Sequence, residues 1–265
     1  MGGNGGIVMS DAAWAWEGLR RNPAYLQAWA RHAGTLPEVS DARASVRYLK
    51  LERPYLEAET YGVLAFADPD HSAAEVPVFW RPDLLSRTLR VSLSVGPERT
   101  DGGFSLASLK CCPTVLDTVD GERHVRLGGL DFWIQMVTED LVGLDDDTRI
   151  DVILEGRSGF SQRITSAEQL FSLHASTDGQ PQPAKRPPNR TKLHEGLLAW
   201  DIYYSRSGRR KRSLRDVAAA LVGEARVEAE WSTNRSLKDL AVRARDRGRA
   251  FVGGGYCDLL RRASF

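Results

Sequence analysis

The side chains with the plainest chemical purpose are cations gathered near the C-terminal end. Arg235, Lys238, Arg243, Arg245, Arg247 and Arg249 recur within one short stretch, offset only by Asp239 and Asp246. Upstream, Arg206, Arg209, Arg210, Lys211 and Arg212 form a second cluster, with Arg215 just after it. A guanidinium is planar, permanently charged and forked, so it meets phosphate oxygens and guanine edges in pairs. The chemistry expected of such residues is recognition of double-stranded DNA. Charge along the chain agrees: residues 179–265 hold 19 Lys and Arg against 9 Asp and Glu, and the remainder 17 against 26. Segregation of this kind suits one end to a polyanion. A solvated arginine face is the plainer account, but clustering on one helix favours DNA.

Other chemistries find little support. The five histidines, His32, His71, His124, His174 and His194, show no metal-ligand spacing such as HExxH. Gly156-Arg157-Ser158-Gly159 lacks the spacing of a nucleophile elbow. Asp145-Asp146-Asp147 reads as a solvated turn. Cys111, Cys112 and Cys257 make neither a disulfide framework nor a zinc site. The expectation is a non-enzyme without metal or cofactor. No run approaches the length of a membrane helix, and the start lacks the basic and apolar parts of a secretory signal. A cytoplasmic, nucleoid-associated protein is expected.

These cations need helices to hold them. Leu237, Leu240, Ala241, Ala244, Phe251 and Val252 form an apolar stripe at helical spacing, beginning near Ser236 and stopped by Gly253-Gly254-Gly255. Docked by that stripe, the helix turns its arginines outward. Ser213 and Asp216 make a variant capping box for a preceding helix. Leu193, Leu197, Trp200 and Tyr204 share one face of a third. In a helix-turn-helix the helix before the recognition helix crosses the phosphate backbone. The basic loop of Arg209 to Arg212 would sit there.

The rest divides into three parts. Residues 1–83 read as a helical regulator-like domain: Asp11 to about Arg21, then Asn22 and Pro23 as N-cap and first residue of a second helix. Further helices are expected from Asp41 to about Glu52 and from Tyr55 to Leu64. Residues 84–175 read as a small α+β module. Leu89–Val95 alternates with period two, Asp120-Gly121 marks a hairpin, and Ile150–Leu154 is a strand. Leu130–Leu141 and Ser166–His174 read as helices. Residues 176–191 carry four prolines and little apolar content, as a linker does. Residues 192–265 are then an independent DNA-binding bundle, and the whole is α+β. Trp14, Trp16, Phe79 and Trp80 are candidate anchors for a protein partner, with a core role as the alternative.

Two stretches carry a family resemblance. Leu193–Asp201, Ser213–Ala218, Ser236–Asp239, Gly248–Ala250 and Gly253–Leu260 resemble the DUF2285 family. Trp14–Tyr25 and the stretch from Ala67 to Pro82 resemble the transcriptional-regulator-like DUF6499 domain. Cys257 departs from the basic residue usual there, and Phe251 from the usual leucine. Proteins joining the two domains resemble the excision activator of rhizobial integrative and conjugative elements. The resemblance implies a helix-turn-helix-like activator of excision or transfer genes. Its implied partners are duplex DNA and an antiactivator protein; the acidic region before the linker suits a contact with RNA polymerase or a second copy of the chain. A lone DUF2285 domain implies an antiactivator that binds another transcription factor, which stays the alternative.

Overall fold

Chain direction is set early by two capped helices. Ser10, in extended conformation, accepts from the Ala13 N–H through Oγ at 3.2 Å and opens α1, Asp11–Leu19. Asn22 accepts from the Ala24 and Tyr25 N–H groups and opens α2, Pro23–Arg31, with proline in the first turn where its missing N–H costs nothing. Every residue of α1 is buried. The computed structural model describes residues 9–32, 38–41, 46–95, 104–105, 113–129, 131–142, 148–156, 159–175, 190–204 and 213–261.

The architecture is α+β, a mixed sheet and a helical C-terminal region. In chain order the strands are β1 Glu38–Asp41, β2 Val46–Lys50, β3 Leu89–Val95, β4 Phe104–Ser105, β5 Thr114–Asp117, β6 Arg123–Gly128, β7 Trp133–Thr138 and β8 Thr148–Ile153. Their order in the sheet is β1-β2-β5-β6-β7-β3-β8-β4. The pairs β2–β5 and β3–β7 are parallel and the others antiparallel. The expected hairpin is β5–β6, with Gly121 at φ 89° in its turn. A short helix, α3 Leu56–Glu59, follows β2, and α4, Phe160–Ala175, covers one sheet face by packing Leu170 and Leu173 on Leu89, Val91, Ile134 and Met136.

Several expected elements differ. The helix expected over Asp41–Glu52 is instead the end of β1 and β2. Val46 and Leu49 are buried there, and β2 takes its ladder from β5, a partner far along the chain. The helix expected at Leu130–Leu141 is β7, all of whose residues are buried. A strand covered on both faces has no alternation to read, so its apolar run mimics a buried helix. From Tyr55 only α3 is helical, and Val63 instead bridges Trp80. Beyond α4 the structure moves to α5, Thr191–Tyr204. Residues 176–189 of the expected linker lie outside the described residues.

The cores do not follow the three-part division. One cluster joins Trp14, Trp16, Leu19 and Tyr25 of the N-terminal helices to Phe251, Val252, Tyr256, Leu259 and Leu260 at the other end. Polar contacts run along the same seam. Arg190 Nη2 meets Asp11 Oδ1 at 2.6 Å, Arg21 pairs with Asp201, and Asn22 Nδ2 donates to the Val252 carbonyl at 2.9 Å. The opposite sheet face is tied to the loop before β3 by a buried cation. Arg126 donates to the Ala73 carbonyl at 2.9 Å, and its guanidinium lies 4.1 Å from the Trp133 ring centroid. Burial pulls its pKa down to about 10, still well charged near neutrality.

Candidate nucleic-acid interface

Four helices make up the bundle that bears the basic surface: α5, α6 Leu214–Val222, α7 Glu224–Glu230 and α8 Arg235–Ala250. The capping box on α6 is reciprocal: Asp216 N–H donates to Ser213 Oγ at 3.4 Å, and Ser213 N–H to Asp216 Oδ2 at 2.7 Å. Gly223 then turns the chain directly into α7. That helix holds Glu224, Glu228 and Glu230 against Arg226. An acidic helix is repelled by phosphate, so α7 is no groove reader despite its place after a tight turn. The role passes to α8. Asn234 caps α8 by accepting from Ser236 N–H at 3.0 Å, and Glu230 holds that cap at 2.7 Å.

Helix α8 buries Leu237, Ala241, Ala244 and Gly248. From Ala241 onward the stripe is made of small residues, and at Gly248 α5 crosses directly beneath it. A Cβ at Gly248 would stand 2.1 Å from the Gly196 carbonyl oxygen, closer than any real contact. Past Ala250 the chain makes a wide turn, Phe251–Gly255, with Gly254 at φ 134°, and enters α9, Tyr256–Arg261. The three glycines therefore redirect the chain into the shared core; they do not end the helical region.

Helical geometry, at roughly 100° per residue, divides the outward cations into two sets. Lys238, Arg245 and Arg249 lie to one side of the ridge opposite the buried stripe, and Arg243 and Arg247 to the other. Lys238 Nζ lies 5.8 Å from the Trp231 ring centroid, and the Arg245 guanidinium 5.4 Å from that of Tyr203. Arg245 also donates to Asp246 Oδ1 at 2.8 Å, and that hydrogen bond, with the charge of the carboxylate, holds its pKa above the usual arginine value. On the other side Arg247 Nη2 reaches Glu195 Oε2 of α5 at 3.1 Å. Arg243 Nε donates to the Asp239 carbonyl at 3.2 Å and leaves its charge to solvent. Arg215, Arg235 and Arg249 are exposed, with no ion pair among the described residues.

An open groove of about 850 Å³ lies on the Arg243 side, lined by Thr191, Lys192, Glu195, Leu240, Arg243 and Arg247. Lys192 and Glu195 were not among the residues expected from the sequence. Their position at the start of a helix carried no charge cluster to mark them, and only the crossing of α5 and α8 brings them beside Arg243. Of the expected DNA-contacting residues, the structure gathers Arg215, Arg235, Lys238, Arg243, Arg245, Arg247 and Arg249 on this bundle. Arg209, Arg210, Lys211 and Arg212 lie outside the described residues.

The aromatic anchors expected for a protein partner are corrected. Trp14, Trp16, Phe79 and Trp80 are 3%, 0%, 2% and 0% exposed, so none offers a partner any surface. Trp16 Nε1 donates to the His71 carbonyl at 3.0 Å, and Trp80 packs near Tyr256. Burying an indole removes the largest apolar area of any side chain from water, and here both ends of the chain converge to do it. The described residues contain no group of His, Cys, Asp and Glu able to hold a metal, and no helix long and apolar enough to cross a membrane.

Comparison with known proteins bears on this bundle. No curated protein matches the chain. Residues 150–261 match the model of a family described as "T6SS, Transcription factor, DNA binding domain". The match takes in most of β8 and all of α4 as well as the bundle, and ends on the last residue of α9. Over that stretch, which holds every cation of α8, the chain is similar to the DNA-binding domain of a transcription factor.

Proposed function

We propose that the protein is a transcription regulator that binds duplex DNA by laying α8 in the major groove. The carrying observation is the face of α8 itself: five cations on two flanks of one helix, held outward by a close-packed stripe. A helix about 10–12 Å across fits a major groove about 12 Å wide, which brings both flanks near a phosphate backbone. The chain then works by recognition, with no catalytic step and no cofactor. The resemblance to two-domain excision activators supports the finer reading. The regulated genes would serve excision or transfer of a mobile element, and the partners beyond DNA would be RNA polymerase, an antiactivator or a second copy. The nucleoid is where such a protein would reside.

Titration of the full chain against duplex DNA across salt concentrations tests the proposal. Six to ten phosphate contacts would weaken binding by about 10³–10⁵ between roughly 50 and 200 mM salt. A chain that shifts no duplex at the lower salt is not a DNA-binding regulator. Activation is tested separately, with a promoter reporter carrying the best selected site; repression or silence there would remove the activator role.

One observation favours the antiactivator reading. A groove of about 790 Å³ runs between α2 and the end of α5, and Leu26 and Tyr204 on its rim are each 38% exposed. An apolar rim of this kind suits a protein partner. Failure to bind DNA, together with direct binding to another regulator, would select that reading.

A further inference from the structure

The ridge of α8 that faces away from the core carries two carboxylates. Asp239 and Asp246 fall on it, seven residues apart, with Arg235 of the first turn beside them and the other five cations displaced to either side. Asp246 is neutralised by Arg245 at 2.8 Å. Asp239 is exposed, and its carboxylate makes no hydrogen bond or ion pair among the described residues. Arg235 and Arg243 each stand four residues away, the spacing at which helical ion pairs form. Yet Arg243 turns its guanidinium to the Asp239 carbonyl rather than to the carboxylate.

A free carboxylate at the centre of a phosphate-binding surface weakens binding to every sequence unless the duplex gives it a donor. The major groove supplies one: the exocyclic amine of cytosine, for which Asp and Glu are the acceptor side chains. The flanks fit the same placement. With Lys238 and Arg249 aimed at one backbone, and Arg243 and Lys192 at the other, the ridge between them meets base edges.

Resting on the DNA-binding reading, we propose that Asp239 is a specificity-determining residue that accepts a hydrogen bond from a cytosine amine. In this arrangement Lys192 and Arg243, on the rim of the groove between α5 and α8, hold a phosphate of one strand and carry no sequence information. Base choice and backbone grip thus sit on different faces of one helix.

The test uses the full chain and three variants, D239N, D239A and K192A/R243A. The preferred duplex is first selected from a randomised library with the unaltered protein, and each base pair is then varied. D239A is expected to lose about 5- to 150-fold of discrimination at one C·G pair, the worth of one good base contact. Its affinity for unrelated duplex should rise and its salt slope stay the same. D239N is the conservative control. It keeps an acceptor but adds a donor, and should relax the choice at that same pair. K192A/R243A should weaken all sequences alike and lower the salt slope by about 1. Thermal melting of each variant separates these effects from a change in helix stability. An unchanged base profile in D239A overturns the inference even if overall affinity moves. An unaltered chain that binds no duplex overturns the DNA-binding reading itself, so the two failures are told apart.

Discussion

His124 shows how one side chain can tie stability to pH. It lies on β6, is fully buried, and neither ring nitrogen has a hydrogen-bond partner among the described residues. Nε2 does approach Glu122 Oε2 to 3.4 Å, but that is a long charge contact, useful only to a protonated ring, and no aligned hydrogen bond. Burial pulls the His124 pKa down to about 4, from 6.5 for a free histidine, with Asp120 and Asp117 opposing weakly. The unfolded chain therefore binds a proton that the folded chain refuses. Stability contributed by the neutral ring is complete above pH 6.5 and falls as pH drops from there toward 4. At about 1.4 kcal/mol per unit the loss is about 3 kcal/mol at the acid end. Melting temperatures measured from pH 7.5 to 4.5 should fall more steeply for the native chain than for His124→Leu. Parallel curves would mean that the ring titrates normally and is less shielded than its burial indicates.

At the scale of elements, the crossing of α5 and α8 controls how the basic face is presented. In an uncrowded helix Gly→Ala stabilises by about 0.8–1 kcal/mol. Gly248→Ala is expected to do the opposite, because the methyl would meet backbone 2.1 Å away that cannot move aside cheaply. Overpacking costs about 1–3 kcal/mol, and a chain of this size loses about 2–4 °C per kcal/mol, so a fall of about 2–12 °C is expected. A rise in melting temperature would show that the helices do not approach so closely. The same substitution should weaken DNA binding, since parting the helices moves Arg243 and Arg247 away from Lys192. Both kinds of element in this chain were legible where local chemistry decides. The Asn22-Pro23 start and the Ser213–Asp216 box fold as their residues indicate, because capping is settled within four residues. β2 and β7 were not legible, because each takes one of its two ladders from a strand far along the chain, β5 and β3 respectively, and both faces of β7 are covered.

For the whole molecule, the shared core changes what a truncation should do. The charge pattern suggested a C-terminal bundle independent of residues 1–83, with a linker between. In the fold, Phe251, Val252, Tyr256, Leu259 and Leu260 are buried in the cluster that Trp14, Trp16, Leu19 and Tyr25 complete. A large apolar side chain contributes about 1.5–3 kcal/mol when fully buried. Losing half of that at five positions costs about 4–8 kcal/mol, comparable to the 5–15 kcal/mol that holds a typical protein folded. A fragment of residues 190–265 is therefore expected to lack a cooperative thermal transition and to aggregate, while the full chain melts cooperatively. The fragment's melting curve decides the point: a sharp transition would restore the independent bundle.

Helix caps, the β5–β6 hairpin, the apolar stripe of α8 and the accumulation of cations at one end were all determined by the sequence alone. Each depends on residues close enough in the chain to act on one another directly. Which cations share a surface with Lys192, that the tryptophans are core, and that the two ends of the chain close one cluster were decided only by tertiary structure. Burial is a property of what lies on the other side, and for Trp14 and Trp16 that is a segment more than two hundred residues away. The place of Asp239 is divided between the two levels. Its presence among arginines is written in the sequence, but its freedom from them depends on where each neighbouring guanidinium finds its partner in space.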